Sequence, residues 1–291
     1  MTLRNQFLSA GGLVSVLLLA GAPNAAWAAR ADQPDGQPDA SPQRVTEVPA
    51  LSESQQEAAA HFKAMCGYLA GLQSFSLAYR SGYDVVQATG QKIEFGETRR
   101  LVLMRPGRLR MEEVSSDGTR DLVIFDGRNI SVLNADQGVY AQVPQPGPLD
   151  DALGYFVRDL KMRMPLALML TTRFPEVLAS RISTIDYVEH TEILGVPTHH
   201  IGGRGENVDF QFWIREGERP LPLRVVLTYR DSPGQPQYWA NFADWDTSPS
   251  VVEDDFVFVP PANARQIPFA VQFRRPEASP SPPVASGGLQ P

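Results

Sequence analysis

A period-two alternation of apolar and polar residues runs through most of this sequence and restricts the chain to a β-rich fold. Successive side chains of a strand point to opposite faces, so each alternating run predicts a strand with one buried face. The apolar positions of these runs are Phe75, Leu77 and Tyr79; Ile93 and Phe95; Leu101 and Leu103; Leu109 and Met111; and Val208, Phe210, Phe212 and Ile214.

Short turns separate the alternating runs. Residues 105–108 read "RPGR", in which Pro106 fixes φ and Gly107 tolerates a positive φ. Residues 115–119 read "SSDGT", with the Asp-Gly pair that tight hairpin turns favour at its centre. Strands joined by connections this short predict an antiparallel meander.

Residues 123–144 read "VIFDGRNISVLNADQGVYAQVP" and allow two interpretations. Their Asp and Asn side chains are candidate oxygen ligands for a metal or a sugar. However, Asp126, Asn129, Asn134 and Asp136 do not follow the alternate spacing of a calcium loop with its final Glu. The Asp, Asn and Gly residues instead lie one strand apart, which predicts two tight turns between three strands.

Helical patterns occur at two places. Ser52 with Gln55 forms a capping-box pattern, and a helix with a period near 3.6 follows it to about Gln73. Residues 148–182 predict a helical insert within the strand pattern, with segments beginning near Pro148, Pro165 and Pro175. The first helix carries one apolar stripe: Ala58, Phe62, Met65, Cys66, Leu69 and Leu72.

The two ends of the chain differ from its body in composition. Residues 1–28 predict a cleaved signal peptide: Arg4 precedes an apolar run, and "AWA" places the cleavage site before Ala29. The alternative, a membrane anchor, requires about 20 apolar residues, and this run is shorter. Residues 29–50 and 274–291 are rich in Pro and polar residues and predict a disordered linker and tail. Residues 51–273 are therefore expected to form one domain of a periplasmic protein with no stable membrane span after signal cleavage.

Charge and cysteine content exclude several classes of protein. The formal net charge is −7, which does not suit binding to nucleic acid or to an anionic membrane surface. The single cysteine, Cys66, excludes an internal disulfide, so the fold depends on its core. A buried, inert thiol is the expected state of Cys66; a nucleophile and an intermolecular bridge are the alternatives.

No sequence pattern points to catalysis or to a metal. Of the four histidines, His199 and His200 are adjacent on a predicted strand, so their side chains point to opposite faces and cannot easily share one ion. Residues 202–206, "GGRGE", superficially resemble a phosphate loop, but a strand follows them, which favours a hairpin turn. We therefore expect no metal, no cofactor and no enzymatic activity, with an enzyme of unfamiliar type as the weaker alternative.

The helical insert contains a methionine-rich segment, "KMRMPLALML", at residues 161–170. Methionine adapts to varied apolar shapes. These residues therefore either plug the inner face of the sheet or form a lid over an apolar cavity that strand aromatics line: Phe95, Phe210, Phe212 and Phe256.

The order of these elements resembles the periplasmic lipoprotein carriers LolA and LolB. The stretches that carry the resemblance are "RPGRLRMEE", "VIFDGRNISVLNADQGVYAQVP", "FWIREGERPLPLRVVL" and "FVFVPPANA". More specifically, residues 51–273 resemble a bacterial family of predicted periplasmic proteins of unknown function with this fold. The resemblance implies an incomplete antiparallel barrel, with an N-terminal helix and a mid-chain helical insert across its concave face. The Pro-rich ends depart from a minimal carrier.

The sequence thus predicts an α+β protein built on a large curved antiparallel sheet. We expect a periplasmic binding or carrier protein for a lipid, acyl chain or other apolar ligand. The alternative is a non-enzymatic envelope scaffold or sensor that binds a protein partner through a sheet edge or the ends of the chain. The candidate ligand-binding residues are Leu101, Leu103, Leu109, Met111, Leu168, Met169, Phe210 and Phe212.

Overall fold

The structure, a computed structural model, describes residues 50–269. The predicted signal peptide (1–28), the predicted tail (274–291) and all but Ala50 of the predicted linker (29–50) lie outside the described residues. Within residues 50–269 the chain forms a helix, six strands, a helical insert and further strands, which is the predicted order. The helices are α1 (Glu53–Gly71), α2 (Leu149–Arg158) and α3 (Phe174–Ala179), with short 3-10 helices at Ala167–Leu170 and Glu253–Phe256.

The strands form one open 12-stranded sheet of the predicted α+β class. Their order in the sheet is β12-β6-β5-β4-β3-β2-β1-β11-β10-β9-β8-β7, so β7 is one edge and β12 extends the other. All pairs are antiparallel except the parallel pair of β12 with β6. The strands are β1 (Ser74–Val86), β2 (Lys92–Met104), β3 (Arg108–Ser115), β4 (Arg120–Phe125), β5 (Asn129–Asn134), β6 (Val139–Pro144), β7 (Ile182–Ile193), β8 (Val196–Gly205), β9 (Val208–Arg215), β10 (Pro222–Tyr229), β11 (Gln237–Asp246) and β12 (Arg265–Gln266).

Helix α1 begins at the predicted capping box. The Ser52 hydroxyl accepts a hydrogen bond from the Gln55 backbone N–H at 3.2 Å, and the Gln55 side chain accepts one from the Ser52 backbone N–H at 3.1 Å. These reciprocal bonds satisfy two of the N–H groups that a helix start leaves without partners. The apolar stripe of α1 packs on the sheet near β7, where Phe62 contacts both Phe210 and Phe212.

The insert between β6 and β7 is less regular than its sequence pattern predicts. Its first segment, α2, buries Leu153, Phe156 and Val157 as the stripe requires. The segment after Pro165 forms only a 3-10 turn, Ala167–Leu170, and α3 begins at Phe174 beside Pro175. No helix within residues 50–269 has the length and apolar character needed to cross a membrane.

One hydrophobic core fills the space between the helices and one face of the sheet, here called the inner face. It includes the buried residues of α1, of the insert and of the alternating strand positions. The turns around Gly118, Gly127 and Gly138 place these glycines at positive φ, so the Asp, Asn and Gly residues of 123–144 form the predicted turns. The interpretation of that stretch as strands and turns is confirmed.

The glycine-rich stretch at 202–206 is not itself the turn that its sequence favours. Gly202, Gly203 and Gly205 lie in β8, and the hairpin reverses at Glu206 and Asn207. The reason is packing across the hairpin: Gly203 pairs with Phe210, and a Cβ at Gly203 would overlap the Phe210 ring. The missing side chain therefore makes room for an aromatic ring on the inner face.

Phe256 was expected among the strand aromatics, and this prediction is wrong. Residues Glu253–Phe256 form a 3-10 turn, and residues 257–261 pair with no strand among the described residues. The Asp255 carboxylate accepts a hydrogen bond from the Val252 N–H at 2.9 Å, and the Asp255 N–H donates to the Val252 carbonyl at 3.1 Å. These local bonds occupy the backbone that a strand would need.

Replacement of the two glycines of β8 tests this packing. Gly203→Ala is expected to lower the free energy of unfolding by about 1–3 kcal/mol, because the new methyl group displaces the packed Phe210 ring. Gly202→Ala is the matched control, since its Cβ would lie at an ordinary 3.5 Å from Val188. Urea denaturation measures both, and equal losses for the two variants would contradict the packing argument.

Candidate ligand-binding site

A cavity of about 350 Å³ lies between the insert and the inner face of the sheet. Its volume is within the range of roughly 300–1,000 Å³ typical of small-molecule sites. The sheet wall comes from β1, β9, β10 and β11: Tyr83, Val208, Phe210, Phe212, Leu227, Tyr229 and Tyr238. The opposite wall comes from the insert: Leu153, Val157, Met164, Leu166, Leu168, Met169, Phe174, Val177 and Leu178.

The sheet wall follows directly from strand alternation. Val208, Phe210 and Phe212 occupy every second position of β9, so all three side chains point toward the insert. Phe62 of α1 stacks on Phe210 at 5.5 Å between ring centroids and meets Phe212 edge-on at 5.1 Å. These aromatic contacts fix the rings of β9 and leave their exposed sides facing the cavity.

A second, much smaller cavity of about 20 Å³ lies beside the first. Its walls include Leu77, Tyr79 and Trp245. Met164, Leu166 and Met169 line both cavities, so these side chains form the partition between them. Two of the three are methionines, whose unbranched side chains change rotamer at little cost.

The structure places the predicted ligand-binding residues in three groups. Leu168, Met169, Phe210 and Phe212 line the main cavity. The small cavity is lined by Leu101 and Met111, and also by Met169, which lines both cavities. Leu103 and Leu109 are buried in the core and line neither cavity. Whether any of these residues binds a ligand stays a prediction.

A row of polar side chains crosses the inner face of five neighbouring strands. Tyr79 lies opposite Arg99, Arg99 opposite Glu113, Glu113 opposite Asp121, and Asp121 opposite Asn134. Residues directly opposite on neighbouring strands have side chains close enough to interact. This polar row interrupts an otherwise apolar surface, and single-strand alternation gave no signal of it.

Arg99 is the centre of the polar row and is only 2% exposed. Its guanidinium donates to the Glu113 carboxylate at 2.7 Å, pairs with Glu97 at 3.0 Å and donates to the Tyr79 hydroxyl at 3.2 Å. The Ser81 hydroxyl donates to Glu97 at 3.0 Å. Burial opposes the charge of Arg99, but the partners outweigh it and hold the pKa of Arg99 above its ordinary value.

Two acids, Glu97 beside the polar row and Asp121 within it, have a pKa above the ordinary value. Burial raises the pKa of Glu97, and the nearby Glu113 carboxylate adds to the effect. Burial and the same neighbour raise the pKa of Asp121 to about 6, against a hydrogen bond from Asn134 that lowers it. Burial also raises the pKa of Tyr238 on the cavity wall. The phenol of Tyr238 therefore stays neutral near pH 7.

The histidines and the cysteine lie outside the cavity walls. His199 stacks on His61 at 3.6 Å between ring centroids, whereas His200 stacks on Trp213 at 4.0 Å, so the two neighbours face opposite sides as predicted. Burial and the nearby His61 lower the pKa of His199. Cys66 is buried, as expected, and burial raises its pKa to about 12. Within residues 50–269, no group of three or more His, Cys, Asp or Glu is arranged to hold a metal.

Several cavity residues escaped the sequence prediction although a signal existed. Tyr83 has the same parity as Phe75, Leu77 and Tyr79 in β1, and continued alternation places it on the inner face. Tyr229 shares its face with Val225 and Leu227 in the same way. By contrast, Arg163 has no such signal, because it lies in an irregular segment of the insert, where periodicity does not fix side-chain direction.

A comparison of the sequence with models of known protein families identifies its family. The model described as "Predicted periplasmic protein (DUF2092)" matches residues 58–270, which is most of the chain. The protein belongs to this family. The matched region contains the whole sheet and nearly all of the core, as the resemblance noted above implied. None of the curated proteins compared with the sequence matches it.

Solved structures with a similar arrangement are distant in sequence. The Mycobacterium tuberculosis lipoprotein LppX is 16% identical with a TM-score of 0.44, over 68% of this chain and 100% of LppX. LprF from Mycobacterium bovis is 14% identical with a TM-score of 0.45, over 72% and 98%. A putative outer membrane lipoprotein-sorting protein domain from Vibrio parahaemolyticus is 6% identical with a TM-score of 0.30, over 69% and 97%.

The raised pKa of Asp121 predicts a specific pH dependence of stability. The folded state resists ionisation of Asp121. The contribution of Asp121 to the free energy of unfolding is therefore fully present below its ordinary pKa of 3.8 and is lost as pH rises through about 6. Asparagine does not ionise, so the variant Asp121→Asn should not lose stability in this pH range. The variant is expected to exceed the wild type by about 1–2 kcal/mol at pH 8, after allowance for solvent screening, and to match it near pH 4.

Urea denaturation of both proteins between pH 4 and pH 8 measures the difference. A constant difference across this range would contradict an electrostatic origin, because a packing or hydrogen-bond effect of the substitution does not follow the titration of one carboxyl group.

Proposed function

We propose that this protein is a periplasmic binding or carrier protein, rather than an enzyme, and that it holds an acyl chain or similar apolar ligand in the main cavity. The observation that carries the proposal is the cavity of about 350 Å³ between the insert and the inner face of the sheet. Apolar side chains form most of both walls, and removal of an acyl chain from water into such a space is favourable by about 0.8 kcal/mol for each methylene group.

Four of the predicted residues would contact the ligand first: Leu168, Met169, Phe210 and Phe212. A longer chain would extend past the partition into the small cavity and reach Leu101 and Met111. That extension would require the partition of Met164, Leu166 and Met169 to move aside, and the two methionines are its most adaptable members. Leu103 and Leu109 would support the walls from within the core.

The proposed location is the periplasm, reached through cleavage of residues 1–28. The support is the N-terminal sequence pattern together with a family described as predicted periplasmic proteins. The mature chain would begin at Ala29.

Native mass spectrometry of the full chain, expressed with its own N-terminus and purified from the periplasm, tests both parts of this proposal. We expect a mature mass that begins at Ala29 and an additional bound mass that organic extraction removes. A protein that carries no bound mass and takes up no fluorescent fatty acid would contradict the ligand proposal. A mass that includes residues 1–28 would contradict the proposed cleavage.

A substitution that fills the cavity should block uptake. Leu168→Trp places a large ring where the insert faces the sheet and is expected to weaken binding of a fluorescent fatty acid about tenfold or more. Val114→Trp is the matched control, because Val114 is 45% exposed on β3 and lines neither cavity. Fluorescence titration compares the two, and equal affinity in both variants and the wild type would place the ligand elsewhere.

A second candidate function is binding to a protein partner of the cell envelope. The observation that favours it is the edge strand β7, whose outer side pairs with no strand within residues 50–269. Leu194, at the turn after β7, is 99% exposed. Against it, the Ser54 side chain of α1 bonds to both backbone groups of Tyr187 and so covers part of this edge. Crosslinking in cells separates the two functions: a protein adduct through β7, with no bound lipid, would favour the second.

A further inference from the structure

The main cavity is lined by an excess of positive charge, although the protein as a whole is acidic. Among its lining residues the only acids are Asp84 and Asp150, within the described part of the chain. The whole sequence, by contrast, has 33 Asp and Glu against 26 Lys and Arg. The basic residues of the lining all belong to the insert or its end: Arg158, Arg163, Arg173 and Arg181.

The two acids of the lining already have partners of their own. The Asp84 carboxylate accepts a hydrogen bond from the Gln237 N–H at 2.9 Å and lies 3.9 Å from the Lys92 ammonium. The Asp150 carboxylate accepts hydrogen bonds from the Thr172 hydroxyl at 2.7 Å and from the Thr172 N–H at 3.1 Å, and it lies 3.7 Å from Arg173. Neither acid is therefore paired with Arg158 or Arg163.

Arg163 lies over an aromatic ring of the cavity wall. Its guanidinium carbon is 3.7 Å from the centroid of the Tyr83 ring, a cation–π contact that orients the group without using its N–H donors. Within residues 50–269 it makes no hydrogen bond or ion pair. Glu97 is near enough to act on it electrostatically, but that carboxylate is bound by Arg99 and Ser81.

Arg158 occupies a second position on the rim. It ends α2 and is exposed, and its side chain folds back over Gly154, another cavity residue: a Cβ at Gly154 would lie 3.0 Å from the Arg158 guanidinium. It too has no ion pair with any described residue. Two guanidinium groups whose N–H donors bind no side chain in the described part of the chain thus border the cavity.

From this arrangement we infer that the preferred ligand is an anionic amphiphile, whose chain enters the cavity and whose carboxylate or phosphate pairs with Arg163 and Arg158. The inference rests on the proposed function. Guanidinium groups bind carboxylate and phosphate through charge-assisted, often bidentate, hydrogen bonds.

A matched pair of probes tests the role of charge. cis-Parinaric acid and its methyl ester have the same chain, but only the acid carries a carboxylate. In the wild type we expect the acid to bind more tightly than the ester, and in the full chain with Arg158→Gln and Arg163→Gln we expect the acid to lose about tenfold in affinity while the ester is unchanged. Arg80→Gln with Arg100→Gln, on exposed positions of β1 and β2, is the control and should change neither.

Arg163→Lys, combined with Arg158→Gln, guards against a loss that comes from misfolding or from the missing Tyr83 contact. This variant keeps a positive charge at position 163 and should bind the acid more tightly than the variant with glutamine at both positions. The affinity for the acid, but not for the ester, should also fall as salt concentration rises, because salt screens exposed charges.

Competition then separates two sources of the same anionic chemistry. Displacement of the probe by oleic acid indicates a free fatty acid, and displacement by dioleoyl phosphatidylglycerol indicates a phospholipid; either result supports the inference. Equal binding of acid and ester in the wild type, unchanged by the glutamine variants, would overturn the inference and leave acyl binding intact. Binding of neither probe would overturn the proposed function itself.

Discussion

The inner face of the sheet is larger than the helices that cover it, and the remaining features of the structure depend on this mismatch. Twelve strands in one open sheet present a wide apolar surface that must be removed from water. Helix α1 covers the end near β7, and the short, irregular insert covers the region toward β1. Because the insert spans this region without filling it, a cavity remains between two apolar walls.

The polar row gives the inner face two different regions. Along β1, Leu77 faces the small cavity and Tyr83 faces the main one, and the side chains of Tyr79 and Ser81 between them belong to the network around Arg99. Removal of one partner from this buried charged network would leave the other charged groups unpaired, which costs several kcal/mol.

The sequence predicted the scaffold well because the scaffold depends on local patterns. Alternation located the strands, and Ser52 with Gln55 located the start of α1. It failed where side-chain contacts that alternation does not show decide the outcome. Across the β8–β9 hairpin the ring of Phe210 occupies the space beside Gly203, and hydrogen bonds between Val252 and Asp255 stabilise a 3-10 turn in a strand-like sequence. For the site, alternation found Phe210 and Phe212, but the direction of Arg163 depends on its contact with Tyr83, which no single segment encodes.

The central claim is that the space between the insert and the inner face of the sheet holds an acyl chain. Photocrosslinking tests it most directly: a fatty acid with a diazirine along its chain is bound to the full protein, irradiated, and its attachment sites are mapped by peptide mass spectrometry. We expect adducts on both walls of the main cavity, in the segments that contain Leu168 with Met169 and Phe210 with Phe212. Adducts confined to exposed residues such as Val114, or to the edge strand β7, would contradict it.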